Sequence, residues 1–277
     1  MVIISGIRNV LQSAGLADLP ILTKRNMAKE MLIYHILEWL YNHPQYRKLK
    51  FYGGTCARVV YGLNRLSEDI DLDNGDGVDL SGFASDLLKY LRGVMLLSDA
   101  EVKNAIDREA DQGHIWRFLI KLPILNALDL SSNQNDKLHI KIEISTHQQM
   151  SDTLLTPVVS NGFSMVVLHW DESSLMAGKI LACLNRSFIK GQTGINYKGR
   201  DYYDLLWYMQ RGTKPNEQKI LAESDYADMT EIWQQLRQRI GRIKPTDISS
   251  DLENLFMEGY FAKIWSEQMH ELFEKYL

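Results

Sequence analysis

The chain has 277 residues, 45% of them hydrophobic and 24% charged, with a formal net charge of −4. That is the composition of a folded globular protein long enough for two domains, and its charge excludes indiscriminate coating of nucleic acid while leaving room for a local basic groove. No apolar run approaches the roughly 18–20 residues that cross a bilayer, and the N-terminus lacks the apolar region of a signal peptide, so a cytoplasmic protein with no membrane partner is expected.

In chain order, apolar residues at Met27, Met31, Ile33, Tyr34, Leu37, Leu40 and Tyr41 predict an amphipathic helix over 26–42. A short strand is expected at 49–52, followed by a Gly53-Gly54 turn and a helix over 55–63. A second strand follows at 69–73 and ends in the turn-forming run Asp73-Asn74-Gly75-Asp76-Gly77. Phe83, Leu87, Leu91 and Val94 predict a helix over 81–96, and strands are expected at 101–110, 114–122 and 138–145. From Ser173 the pattern is helical to the end, with breaks at Pro215 and Pro245. These elements divide the chain into an α+β domain, 1–168, and a helical domain, 169–277.

The strand at 69–73 is the most informative element. Strand side chains alternate, so Asp69, Asp71 and Asp73 project to one side, and Ile70 and Leu72 to the other. Same-face neighbours lie roughly 6–7 Å apart, which lets Asp69 and Asp71 hold one or two divalent cations, as phosphoryl or nucleotidyl transfer requires. A surface strand with solvated acids has the same pattern. Gly53 and Gly54 let the backbone approach a phosphate closely, with Thr55 at the start of a helix whose N–H groups receive anions; an ordinary tight turn is the alternative.

In the strand at 138–145, Leu138, Ile140, Ile142 and Ile144 face the core, whereas His139, Lys141, Glu143 and Ser145 face the other way. Glu143 is a third acid for the site if this strand lies beside the first, and a solvated glutamate otherwise. Lys179 and Arg186, seven apart, share one side of a helix and form either a cationic rail or a pair of exposed charges. Asp201 falls in the first turn of a later helix, where it caps the helix or forms a salt bridge with Lys179 or Arg200. Tyr202, Tyr203, Trp207 and Tyr208 read mainly as core aromatics.

Several chemistries are excluded. Asn74 and Leu80 break the calcium-loop pattern begun by Asp69-x-Asp71-x-Asp73, and the seven histidines show no zinc-hydrolase spacing. Cys56 and Cys183 are too few for a disulfide framework or a thiolate zinc site and read as small buried hydrophobes. Ala177-Gly178-Lys179-Ile180 is not a P-loop, and no hydrolase elbow or kinase signature is present.

Gly53-Gly54-Thr55, Arg58, Tyr61-Gly62-Leu63, Arg65 and Ser67-Glu68-Asp69-Ile70-Asp71-Leu72 resemble the first motif of the AbiEii/AbiGii-type nucleotidyltransferase toxins of the DNA polymerase β-like superfamily. Lys141-Ile142-Glu143-Ile144 is similar to the second motif of that family. Lys179-Ile180-Leu181-Ala182 with Arg186 is similar to the third, and Lys198-Gly199-Arg200-Asp201-Tyr202-Tyr203-Asp204-Leu205 to the fourth. The likeness spans 51–205, with little from either end.

The resemblance implies an α+β, polymerase β-like nucleotidyltransferase domain with a mixed sheet, followed by a C-terminal helical domain. It implies an enzyme that moves NMP from an NTP to an acceptor hydroxyl with Mg2+, or Mn2+ in its place. The implied catalytic set is Asp69, Asp71, Glu143, Lys179 and Asp201, with metal on Asp69, Asp71 and Glu143. Gly53, Gly54, Thr55, Arg65, Ser67, Lys179, Arg186 and Arg200 are the implied nucleotide contacts. The implied partners are the NTP, the 3′ end of tRNA or another RNA, and a cognate antitoxin within a toxin–antitoxin or phage-defence pair. Arg237, Arg239, Arg242 and Lys244 offer an RNA backbone contact or a solvated helix end. Nucleotide transfer to a protein hydroxyl, or a non-catalytic module retaining the fold, are the alternatives.

Overall fold

The computed structural model describes residues 2–106, 114–185 and 197–277. The chain forms two compact units, Met1–Gln149 with Thr153–His169, and Met150–Asp152 with Trp170–Leu277.

The first unit contains helices α1 (Val2–Leu11), α2 (Ile21–Asn42), α3 (Gly53–Tyr61) and α4 (Phe83–Gly93). Its strands are β1 (Lys50–Tyr52), β2 (Asp69–Asp73), β3 (Glu101–Ile106), β4 (Ile115–Leu122), β5 (Leu138–Ser145), β6 (Thr153–Ser160) and β7 (Phe163–Trp170). They make one sheet in the order β3-β4-β5-β2-β1-β7-β6. The sheet is mixed: β2 runs parallel to β5 and β1 to β7, whereas β3–β4, β4–β5 and β1–β2 are antiparallel. Alternation explains which face is dry. Ile70, Leu72, Phe118, Ile120, Ile140, Ile142 and Ile144 are all buried, and helices α2, α3 and α4 pack against β5, β2 and β3.

Three local differences from the sequence expectations have physical reasons. Helix α3 starts at Gly53 rather than after the two glycines, because Gly53 adopts φ +79° and turns the chain straight from β1 into the helix. Helix α1 carries buried Ile4, Ile7 and Leu11, a spacing that predicts a helix but is too short to stand out by periodicity. The spacing argument gives no element between 146 and 172, yet β6 and β7 lie there. Their two-residue connection, Asn161 at φ 54° and Gly162 at φ 84°, is the Asn-Gly signature of a tight hairpin. Of the strand expected over 101–110, the part beyond Ile106 lies outside the described residues.

In the second unit the described residues form helices α5 (Glu172–Asn185), α6 (Gly199–Gln210), α7 (Glu217–Ala222), α8 (Met229–Ile240), α9 (Pro245–Leu252) and α10 (Phe261–Glu274). Helix α5 packs against α6, α7 and α8, while α6 meets α9 and α9 meets α10. Pro245 opens α9, where its missing N–H costs nothing. Buried Tyr203 is ringed by Phe256, Phe261 and Trp265, so this aromatic is core. The chain first touches this unit at 150–152, where Met150 N–H donates to Glu223 Oε1 at 3.3 Å and Asp152 N–H to Ser174 Oγ at 3.1 Å. Both cysteines are buried and unpaired with each other. Among the described residues no helix is long and apolar enough to cross a membrane.

Candidate active site

The polar face of the sheet is assembled by register. In the parallel β2–β5 pair Asp69 stands opposite Lys141, Asp71 opposite Glu143 and Asp73 opposite Ser145. On the far side of β5, antiparallel β4 sets Arg117 opposite Glu143. Paired residues point to the same side, so Asp69, Asp71 and Glu143 share one half-buried face with two cations. Arg117 Nε donates to Glu143 Oε1 at 2.9 Å, and Lys141 Nζ lies 3.4 Å from that same oxygen and 3.7 Å from Asp69 Oδ2. Asp73, although on the same face, accepts the Gly75 N–H at 2.8 Å and is absorbed into the turn after β2.

Strand β1 completes the neighbourhood. Tyr52 stands opposite Asp71, and Gly53 follows it. A Cβ on Gly53 would overlap Asp71 Oδ2 and lie 3.1 Å from Asp71 Cβ and Cγ, so the missing side chain is what makes room for this carboxylate. Burial pushes the Tyr52 hydroxyl well above its usual pKa, and the negative charges of Asp71, Glu143 and Asp73 push it further. Burial, then Asp71, raises the Cys56 thiol in the same way. Both groups stay protonated at neutral pH, which leaves the carboxylates as the charged oxygen donors of this face.

The expected phosphate contacts lie around the start of α3 and the loop into β2. Gly53 and Gly54 form the first turn of α3, whose N-cap Tyr52 makes no side-chain capping bond. The buried Thr55 hydroxyl donates to Asp69 C=O, tying the helix to the acid strand. Buried Arg65 donates from Nη1 to Leu66 C=O at 3.0 Å. Ser67 is buried, its N–H donates to Glu30 Oε2 at 3.0 Å, and its Oγ has no hydrogen-bond partner among the described residues. Glu30, on α2, also binds Arg58 through Nη2 at 3.0 Å and Nε at 3.2 Å, so one buried carboxylate clips α2, α3 and the approach to β2 together. Together with buried Thr23 and Asn26 it forms a polar stripe along α2 at the spacing of one helix face, the signal that would have marked it.

In the helical unit Lys179 on α5 is gripped by α6. Its Nζ is 3.0 Å from Asp201 Oδ1 and 2.7 Å from Asp204 Oδ2. Sequence reasoning allowed the Asp201 contact, and the structure adds Asp204 beside it. Lys179 is therefore not an exposed surface charge. Arg200 donates its backbone N–H to Asp251 Oδ2 at 3.2 Å, and Arg186 lies outside the described residues. Arg117 was missed altogether, since only strand pairing reveals that it faces Glu143.

The donor set suits a hard divalent cation. It is oxygen-only, and Mg2+ is commonly held by one or two carboxylates plus substrate phosphates instead of a protein cage. Among the described residues no three His, Cys, Asp or Glu side chains form a ready-made metal cluster, Asp69, Asp71 and Glu143 included. An open groove of about 780 Å³ in the same unit is lined by residues including Arg47, Lys48, Asp79, Leu155 and Val166, and by none of these acids.

No curated protein matches the chain. Among solved structures it is similar to JHP933 from Helicobacter pylori, at 18% identity over 90% of this chain and 94% of that one, with a TM-score of 0.47. It is also similar to an H. pylori protein assigned as a nucleotidyltransferase, at 18% identity over 90% and 96% of the two chains, with a TM-score of 0.46. The mixed sheet followed by helices is the α+β nucleotidyltransferase architecture expected above. A family model matches residues 36–277, so the likeness, which the motifs carried only to 205, runs on through the C-terminal helices. The chain belongs to the nucleotidyl transferase AbiEii toxin family of type IV toxin–antitoxin systems.

Proposed function

We propose that the protein is a magnesium-dependent enzyme that moves NMP from an NTP to the 3′ hydroxyl of tRNA, and that it acts as a toxin held in check by a cognate antitoxin. The observation that carries this reading is the β2–β5–β4 register, which supports Asp69, Asp71 and Glu143 as one set of oxygen donors. Asp69 and Asp71 would hold the metal, and Glu143 would complete its ligands. When bound, the cation supplies Lewis-acid polarisation of the phosphate oxygens and neutralises part of their charge.

The chain's own residues do the rest. N–H groups at the start of α3, with Gly53, Gly54, Thr55 and Ser67, receive phosphate oxygens, and the unpartnered Ser67 Oγ is suited to donate to one. The acceptor oxygen attacks the α-phosphorus, the bond to the bridging oxygen breaks, and pyrophosphate leaves with the electron pair. The hydroxyl proton passes to Glu143 or to solvent. Lys179, held in place by Asp201 and Asp204, offsets charge on the triphosphate, with Arg65, Arg186 and Arg200 as further cations. Positioning and electrostatics carry this chemistry, so rigid first-turn and strand positions suit it. We assign catalysis to Asp69, Asp71, Glu143, Lys179 and Asp201. Exposed Arg237, Arg242 and Lys244, with Arg239 beside them, are the proposed RNA contacts.

The test incubates the protein with Mg2+, each α-32P-labelled NTP and total bacterial RNA, resolved beside a protein gel. Label at tRNA size that disappears in Asp71→Ala is expected. Label on protein alone would redirect the acceptor to a protein hydroxyl, and no label with any NTP would remove the enzymatic reading.

A further inference from the structure

The acid face contains its own opposing charge. Asp69, Asp71 and Glu143 bring three negative charges, and Lys141 and Arg117 bring two positive ones. The two cations are not equivalent. Arg117 donates to Glu143 at 2.9 Å from the strand position directly opposite it. Lys141 reaches two. Standing opposite Asp69 and two residues before Glu143, it places Nζ 3.7 Å from Asp69 Oδ2 and 3.4 Å from Glu143 Oε1, bridging acids on neighbouring strands. A dication using those acids would have to share the space with the ammonium or displace it. Lys141 is free to go: its side chain is 40% exposed, on a flexible four-carbon stem.

We propose that Lys141 is a built-in counter-ion that competes with the divalent metal for Asp69 and Glu143, so that the metal is captured together with a nucleoside triphosphate whose phosphates take over the displaced ammonium. This rests on the nucleotidyltransferase reading of the same carboxylates. In the free protein Lys141 relieves the repulsion among three acids on one face. When nucleotide arrives, the ammonium exchanges carboxylate oxygens for phosphate oxygens, and the acids turn to the cation. Metal and nucleotide then favour each other's binding, and linkage makes that effect reciprocal.

The experiment measures Mn2+ binding to the full chain by electron paramagnetic resonance of free Mn2+, first without nucleotide and then with the α,β-methylene analogue of each NTP. Lys141→Gln is expected to tighten Mn2+ binding without nucleotide by about tenfold, the scale of one partly screened charge at these distances. The gain produced by the analogue should shrink by the same factor. Lys141→Arg, which keeps the charge, should bind as the wild type does. Lys141→Met carries the same expectation as Lys141→Gln if the glutamine variant fails to fold, as judged by circular dichroism. Metal binding no tighter in the uncharged variants overturns the counter-ion role while leaving the acids as ligands, provided Asp69→Asn still loses the metal. Equal Mn2+ binding by wild type and Asp69→Asn, with and without the analogue, removes the carboxylate site and the counter-ion role with it.

Discussion

On the sheet, Asp69 and Glu143 keep 31% and 25% of their side-chain surface in solvent, and their partners Lys141 and Arg117 keep 40% and 28%. In the helical unit Asp201 and Asp204 keep 3% and 0%, around a lysine that keeps 13%. The first cluster sits where water screens its charges, so each pair contributes little to stability and its members are open to exchange with a ligand. The second has paid the desolvation cost, so each member depends on the others and the geometry is fixed. A site that must take up a cation and a polyanion needs the first kind of cluster. A lysine that must stay aimed needs the second.

The largest expected effect sets the two against each other. Lys179→Met removes the ammonium from two adjacent buried carboxylates and should lower stability by about 3 kcal/mol or more. Asp71→Ala removes one of three like charges from a half-exposed face, and should leave stability within about 1 kcal/mol of wild type. Urea unfolding followed by tryptophan fluorescence reports both, since Trp39 and Trp116 lie in the sheet unit and Trp207, Trp233 and Trp265 in the helical one. Equal costs for the two variants would erase the distinction between the clusters.

A smaller effect sharpens it. Gly53→Ala forces an L side chain into φ +79° against Asp71 Oδ2, so the carboxylate must shift. Transfer should fall by about a hundredfold, as expected for a displacement near 1 Å at a reacting centre, with a modest loss of stability. Full activity would show that Asp71 tolerates movement. Smallest of all, Gly162→Ala at φ +84° meets nothing within 4 Å, so only backbone strain acts. It should cost about 1 kcal/mol and leave the transfer rate unchanged. A loss of activity there would tie the hairpin to the site.

How much of this was legible varies by residue. Strand β5 occupies the span expected for it, and burial alternates as expected through Ile144, because Leu138, Ile140, Ile142 and Ile144 make a local pattern; Ser145 departs from it and is buried. The hairpin of β6 and β7 was missed although Asn161-Gly162 announces it, since Pro157 and the unbroken apolar runs beside the turn hide the alternation. Glu30 is one of two acids on the long helix α2, and its bonds to Arg58 and Ser67 give it a task.

Which side of its own strand Asp69, Asp71 or Glu143 occupies was determined by sequence alone, because alternation is a property of consecutive residues. So was the membership of the family, which the motifs over 51–205 announce and the family model matches over 36–277. Which charges meet was decided only by tertiary structure. Lys141 faces Asp69, Arg117 faces Glu143, and Asp204 joins Asp201 on Lys179 through pairing and helix contacts between segments distant in the chain. No periodicity within one segment specifies its neighbour; the register that buries both apolar faces does, and the charges follow it.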